Sequence, residues 1–510
     1  MKKERSKASL VNGGRAGLQA PKTKDGFSMN PGSSKPSQAG TGTGNMSQAP
    51  SVMQHNQPGT QWSDSEATFF LDQEAYQGDK YHTVLNPLGF LNLGISENRL
   101  CVDLTERLCQ NDMNYIEEPL LHYPNWRGHP FLWAEVAKFL TYYCGSPSRL
   151  NLRNVVVLNS CCAVFSALAM VLCDPGDAIV VPTPFHSGFL FFFVELIPTH
   201  VDTEITNTNT QPFQHMMGKL EQALLEAKTK SKKVKGLLLA NPQNPLSDVN
   251  MKESLKEYLK FAKRNELHLM VDETYMQSVF DETIIFHSVL CSESLLDPSR
   301  THVIWGSKDF GITGFHFGFL YTHNDDVVCA MSPFGYLHSV SGITQYKLHR
   351  LLGDRDWIKR VYLPTNHSQL QEAYVYVTKR LRELEEQYEF KITFRSCGYG
   401  LYIWINLKTL PEPRTFFFLV PGIELRSLRL CNHKLILSRG KSYIFKEPGW
   451  FRLMFAENSQ RLREGMDRFG QAIEEQKQYW IERIICHLWK PCIFLIFASH
   501  CVYKIMLLLG

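Results

Sequence analysis

The stretch KGLLLANPQNPLSDVNMKESLKEYLKFAKRNELHLMVDETY, residues 235–275, decides the fold class. It begins and ends with short apolar runs, KGLLLAN at 235–241 and LHLMVD at 267–272, whose length suits buried strands. Between them, residues 251–264 repeat apolar side chains at helical spacing, with lysine and glutamate on the other face. A strand, a helix and a second strand in that order form a crossover unit, the connection that parallel strands require.

Working outward, VVVL at 155–158, AIVVP at 178–182, THVIWG at 301–306 and FGFLYT at 317–322 read as further strands, and 215–229 as another crossover helix. Short apolar strands alternating with helices predict an α/β domain of the doubly wound type, its mostly parallel sheet covered on both faces. This large domain is expected over 144–365. Downstream, SQLQEAYVYVTKRLRELEEQYE predicts a long helix, and GLYIWINL at 400–407 and WFRLMFA at 450–456 predict strands of a smaller α+β domain over 366–475. Residues 67–143 are expected to complete that smaller domain and to supply contacts to a second copy.

The flanks read differently. Residues 1–66 are rich in Gly, Ser, Gln, Lys and Asn and poor in aromatics, a composition that cannot bury enough apolar surface to offset chain entropy, so a disordered arm is expected. The tail 476–510 ends in PCIFLIFASHCVYKIMLLLG at 491–510. A membrane span needs roughly 20 predominantly apolar residues; His500 and Lys504 interrupt this one, which favours a buried or aberrant tail.

With 510 residues the chain can bury a large core, and 44% hydrophobic with 20% charged residues is the composition of a globular protein. The net charge of +4 is small for this length and argues against nucleic-acid binding. Thirteen cysteines show no paired metal-binding spacing, and Cys173, Cys291 and Cys329 lie in apolar stretches that read as core. A reducing compartment, the cytoplasm, fits better than a disulfide framework or a zinc site. The N-terminus, MKKERSKASL, lacks the apolar run of a secretory signal.

Several polar residues stand where cofactor chemistry could use them. Lys308, in WGSKDFGITGFHFG, follows a strand and sits in a glycine-rich loop that a ligand can approach closely; it could equally be a surface lysine in a polar turn. Asp272 ends an apolar strand, where open α/β sheets bind ligands, or else caps that strand. Tyr275 follows three residues later, and Asn244 lies in the loop after the preceding strand.

The order of these blocks is more informative than any one of them. NPQNPL at 241–246, VDETY at 271–275, SKDFGITGF at 307–315 and EPGWFR at 447–452 resemble the signature blocks of class I/II aminotransferases. LGISENRL at 93–100 and HYPNWRG at 122–128 resemble, more narrowly, the 1-aminocyclopropane-1-carboxylate synthase branch, above all its animal synthase-like members. The resemblance spans roughly residues 80–475. It implies fold type I of the pyridoxal 5'-phosphate-dependent transferases, that cofactor, an amino-acid substrate and a homodimer. It also implies individual roles: Lys308 as the lysine that joins the cofactor, Asp272 as partner of the pyridine nitrogen, and Asn244 and Tyr275 as donors to the ring oxygen. Arg452 would grip the substrate α-carboxylate, although alone it could be an arginine reaching out from a strand edge. Glu97 would lie near the substrate, and Tyr123 would reach the phosphate of the neighbouring subunit.

Several positions depart from the family pattern. The arginine of G-F-R-x-G is His316 here, and an imidazole is only partly charged near neutrality and has no two-pronged donor face. Trp305 stands three places before the lysine, where a small or hydroxyl residue is expected, followed by Gly306 and Ser307. The phosphate turn reads Asn159, Ser160, Cys161, Cys162, Ala163, and the ring-stacking aromatic is His186 in PTPFH. Two functions follow as expectations: transaminase or synthase-like chemistry through Lys308, or a non-catalytic relative that keeps the fold for binding or assembly.

Overall fold

The computed structural model describes residues 72–186, 188, 194–200, 212–291, 295–394, 398–408 and 430–479. The expected arm, residues 409–429 of the expected smaller domain and the tail from 480 lie outside the described residues.

Among the described residues thirteen strands run in chain order: β1 (Leu91–Asn92), β2 (Val155–Leu158), β3 (Ala178–Thr183), β4 (Glu195–His200), β5 (Val234–Ala240), β6 (His268–Asp272), β7 (Thr301–Gly306), β8 (Gly318–Thr322), β9 (Thr393–Phe394), β10 (Tyr402–Asn406), β11 (Leu435–Ile436), β12 (Ser438–Arg439) and β13 (Trp450–Met454). Seven of them form the large sheet in the order β2-β8-β7-β6-β5-β3-β4, and β8 alone runs antiparallel to its two neighbours. The fold is therefore α/β with a mostly parallel sheet, as the sequence predicts. The register aligns Ala240 with Asp272 and Asp272 with Ile304, so the carboxyl ends of β5, β6 and β7 finish level. In β4, ELIPTH, the apolar pattern is weak and the strand is partly exposed at the sheet edge, so periodicity did not reveal it.

The helix Lys252–Arg264 shows why the crossover forms. Leu255, Tyr258, Leu259, Phe261 and Ala262 are buried at spacings of three and four, whereas Lys256, Glu257, Lys260 and Lys263 face solvent. Burial of each such leucine contributes about 1.5–3 kcal/mol, more than the helix's intrinsic propensity supplies.

The smaller sheet runs β12-β13-β10-β9, with β10 and β13 antiparallel and Trp404 opposite Arg452. Its core gathers Leu370, Val377, Leu381 and Leu384 from the helix Leu363–Tyr388, and Leu462, Met466, Phe469 and Ile473 from the helix spanning 459–479. The segment 67–143, expected whole in the smaller domain, serves both cores. Tyr81, Leu91 and Leu93 join the smaller one, while Leu132, Val136, Phe139 and Leu140 of the helix Pro130–Tyr143 pack on the large sheet. The apolar spacing of that helix gave no sign of which sheet it covers.

Cys329, expected in the core, is exposed: Val327, Val328 and Met331 form the buried face of its short helix. Cys173 and Cys291 are part-buried, and all three are free thiols.

Candidate functional site

The expected ligand-facing residues collect at the carboxyl ends of the parallel strands. Asn244 lies beyond β5, Asp272 ends β6, and Lys308 lies in the tight turn Ser307–Phe310 directly after β7. This is where an open parallel sheet leaves a crevice.

A chain of contacts joins them. Lys308 Nζ is 3.4 Å from the Tyr275 hydroxyl. The Tyr275 ring meets Tyr402 edge to face, with centroids 5.6 Å apart. The Arg452 guanidinium lies over Tyr402 and Tyr443, 4.8 and 5.1 Å from their centroids. Its Nη1 donates to Asn244 Oδ1 at 2.9 Å and its Nη2 to the Gly94 carbonyl at 2.5 Å. Arg452 is buried, and its Nε has no hydrogen-bond partner among the described residues.

Charge follows from burial. The Asp272 carboxyl is pushed up by burial, against donors from the Thr274 hydroxyl and N–H and the charge of Lys308. For Lys308, burial acts to lower the pKa, yet Tyr275, Cys162, Cys161 and Asp272 outweigh it and hold the ammonium above the ordinary lysine value. The imidazole of His186 is driven well below its ordinary value by burial and by the charges of Lys308 and Arg452, so it is neutral. Its Nδ1 accepts the Gly188 N–H at 3.0 Å.

The side where the sequence leads one to expect a phosphate is built differently. The helix Cys161–Leu172 begins at an N-cap, Ser160, whose hydroxyl already takes the Ala163 N–H at 3.0 Å. Gly306 and Gly318 let β7 and β8 pass close to that helix start: a Cβ on Gly306 would meet Cys161 Sγ at 2.6 Å, and one on Gly318 would meet Cys161 N at 2.4 Å. Cys162 is exposed, and Thr274 Oγ1 lies 3.6 Å from Cys161 Sγ. The Ser307 hydroxyl turns inward to the Ile312 carbonyl at 3.3 Å. His316 is exposed and left-handed, with φ 47°.

Other expected residues fall elsewhere. Trp305 is buried in the core against Phe139, Phe310 and Phe319 and supports the loop from beneath. Its Nε1 donates to Asp309 Oδ2 at 3.0 Å. Glu97 turns away to Arg99, at 2.8 Å, which also holds Glu457 at 2.9 Å. Tyr123 is wholly exposed. Sequence reasoning missed Tyr402, Tyr443, Thr274 and Gly94. Thr274 stands inside the quoted VDETY block, but nothing in the alternation of GLYIWINL marks Tyr402 as a site residue.

A mostly parallel sheet carrying a lysine, a carboxylate and an amide at its carboxyl edge, met there by an arginine from the smaller sheet, defines an aminotransferase-like protein, and the chain belongs to that family. Residues 90–469 match the family described as Aminotransferase class I and II. Among its relatives is a human protein named "Probable inactive 1-aminocyclopropane-1-carboxylate synthase-like protein 2", 58% identical over 416 residues, covering 80% of this chain and 72% of that one. The tomato protein named 1-aminocyclopropane-1-carboxylate synthase 4 is 30% identical over 408 residues, covering 76% of this chain and 82% of its own. In fold, the chain is similar to the aspartate aminotransferase of Thermotoga maritima, with TM-score 0.59 and 20% identity over 81% of this chain and 98% of the other.

Proposed function

We propose that the chain holds pyridoxal 5'-phosphate on Lys308 and acts on the amino group of an amino acid. The observation that carries this reading is the unbroken run of contacts from Lys308 through Tyr275, Tyr402 and Arg452 to Asn244, drawn from five separate stretches of sequence. The donor set fits the ring end of the cofactor: a buried carboxylate at Asp272 for the pyridine nitrogen, and a phenol and an amide for the ring oxygen. When bound, the cofactor supplies an electron-withdrawing ring that stabilises negative charge at the substrate Cα. Lys308 Nζ is the group placed to carry the Cα proton. Arg452 takes the substrate carboxylate on its rigid fork, exchanging contacts it now makes with Asn244 and Gly94. His186 contributes a neutral ring face.

For the phosphate we assign the start of the helix Cys161–Leu172, with Cys162, Ala163 and Ser307 beside it and His316 at the rim. Glu97 acts at one remove, through Arg99. The exposed Tyr123, together with Leu121, Trp126 and Tyr336 nearby in the exposed apolar set, supports a homodimer in which Tyr123 reaches the neighbouring site. The division into a large domain over 144–365 and a small one over 366–475 is supported by two separate cores. Among the described residues no helix is long and apolar enough to cross a membrane, and the tail 491–510 lies outside them. A cytoplasmic site of action is part of this reading.

A second reading, a fold kept for binding or assembly without catalysis, is favoured by His316, which is exposed where the family pattern has arginine. Two experiments separate them. A visible absorption band on adding pyridoxal phosphate, absent in Lys308→Ala, supports cofactor attachment. Its absence in the wild type refutes the first reading. With the band present, spectral change on adding amino acids supports turnover, and silence across a broad panel supports the second reading.

A further inference from the structure

Away from the Lys308 crevice, a cleft of about 380 Å³ opens between the helix Leu363–Tyr388 and the start of the helix spanning 459–479. Its volume lies within the range of about 300–1,000 Å³ usual for small-molecule sites. Gln369, Glu372, Ala373 and Tyr376 line one wall, spaced so that they share one face of their helix. Asn458, Ser459, Leu462 and Arg463 face them, and Arg99 and Leu100 close the end.

Three features of this lining point to a ligand. The floor is apolar: Leu462 and Ala373 are buried and Leu100 is part-buried against the same core. Gln369 Oε1 is buried and has no hydrogen-bond partner among the described residues. A buried, unmatched acceptor is destabilising, so a bound donor there gains free energy by satisfying it. Finally, two opposite charges stand at the rim without an ion pair among the described residues: Arg463, which reaches only the Ser459 hydroxyl at 3.4 Å, and Glu372, which accepts from the Ser368 hydroxyl at 3.3 Å. Arg99 and Glu457, by contrast, satisfy each other at 2.9 Å.

We propose that this cleft binds a zwitterionic ligand with an apolar side chain, a free amino acid, at a site separate from the Lys308 crevice. The ammonium group meets Gln369 Oε1 and Glu372. The carboxylate meets Arg463 near the start of the helix spanning 459–479, where the helix dipole favours negative charge although the Gln460 N–H is already taken by Asn458 Oδ1. The side chain lies on Leu100, Ala373 and Leu462. The cleft also borders the arm that supplies Gly94: Arg99 N–H donates to the Ala456 carbonyl and Met454 N–H to the Leu93 carbonyl, at 2.9 and 2.8 Å. The same arm accepts from Arg452 through Gly94.

The test uses the full chain carrying Lys308→Ala and Arg452→Leu, which silences the crevice, so its outcome is independent of the function proposed above. L-Leucine, L-phenylalanine and L-methionine are titrated by calorimetry. At least one should bind saturably with one site per chain, and its analogues lacking the amine or the carboxylate should bind at least tenfold more weakly. Arg463→Glu, at an exposed position that folding tolerates, should weaken binding at least tenfold, as should Ala373→Trp, which fills the cleft. No saturable binding by any of the three amino acids overturns the proposal. So does binding that Arg463→Glu leaves unchanged, or equal binding of the analogue that lacks either charge.

Discussion

Asp309, the residue after Lys308, offers a quantitative test of how the loop is held. Its carboxylate is buried and accepts from Trp305 Nε1 at 3.0 Å, Gln277 N–H at 3.1 Å and the Ser278 hydroxyl at 2.6 Å. Burial outweighs these donors and pushes its pKa up to about 7 from 3.8. A carboxyl whose folded pKa is raised binds its proton more tightly in the native state than in the unfolded chain. Its contribution to stability is therefore complete below pH 3.8 and is lost as pH rises toward 7. At about 1.4 kcal/mol per unit, the whole window is worth about 4 kcal/mol, of which roughly 2–3 kcal/mol falls between pH 5 and pH 8. Asp309→Asn keeps the shape and most of the hydrogen bonds but cannot ionise. Urea unfolding of both proteins at pH 5 and at pH 8 gives the comparison. The wild type should lose about 2–3 kcal/mol more than the variant over that interval. Glu273, also raised to about 7 by burial, titrates equally in both proteins and cancels. Equal pH dependence in wild type and variant would refute the argument that burial dominates at Asp309.

Three further outcomes are expected. His316→Arg should tighten pyridoxal phosphate binding by about ten- to a hundredfold, the worth of one charge-assisted contact of about 1.5–3 kcal/mol, measured by titrating the visible band; no change would remove His316 from the phosphate end. Gly318→Ala should destabilise the fold by about 1–3 kcal/mol in urea unfolding, because its Cβ would meet the backbone of Ser160 and Cys161 at 2.4 Å. Trp305→Phe should cost about 1–3 kcal/mol, by the same assay, because Asp309 loses one donor while the aromatic packing largely remains; a neutral result would mean that the indole N–H contributes nothing to holding the loop.

The strands of the large sheet were legible because their apolar runs are continuous and their crossovers long: 301–306 and 155–158 agree with the structure residue for residue. The edge strand β4 was not, since one exposed side dilutes its pattern. Lys308, Asp272, Tyr275 and Asn244 could be read from the order of their blocks, which a linear chain preserves. Directions could not be read. Trp305 lies three residues before Lys308, yet the pleat of β7 turns it into the core, and Glu97 turns to Arg99 although its block borders the site. Tyr402 and Tyr443 join Arg452 only through antiparallel pairing and packing in the smaller sheet, and no local spacing encodes that.

Arg452 closes contacts with partners 208 and 358 positions away in the chain, at Asn244 and Gly94. Contacts of such span form late, because the loop-closure entropy must be met before they contribute. During synthesis the large sheet can assemble while residues beyond 447 are still unmade, so the lysine turn exists before the arginine that completes the pocket. On the function proposed above, a chain released early would present a folded sheet whose crevice lacks its carboxylate partner, and competence to recognise an amino acid would report that β13 has been made and docked.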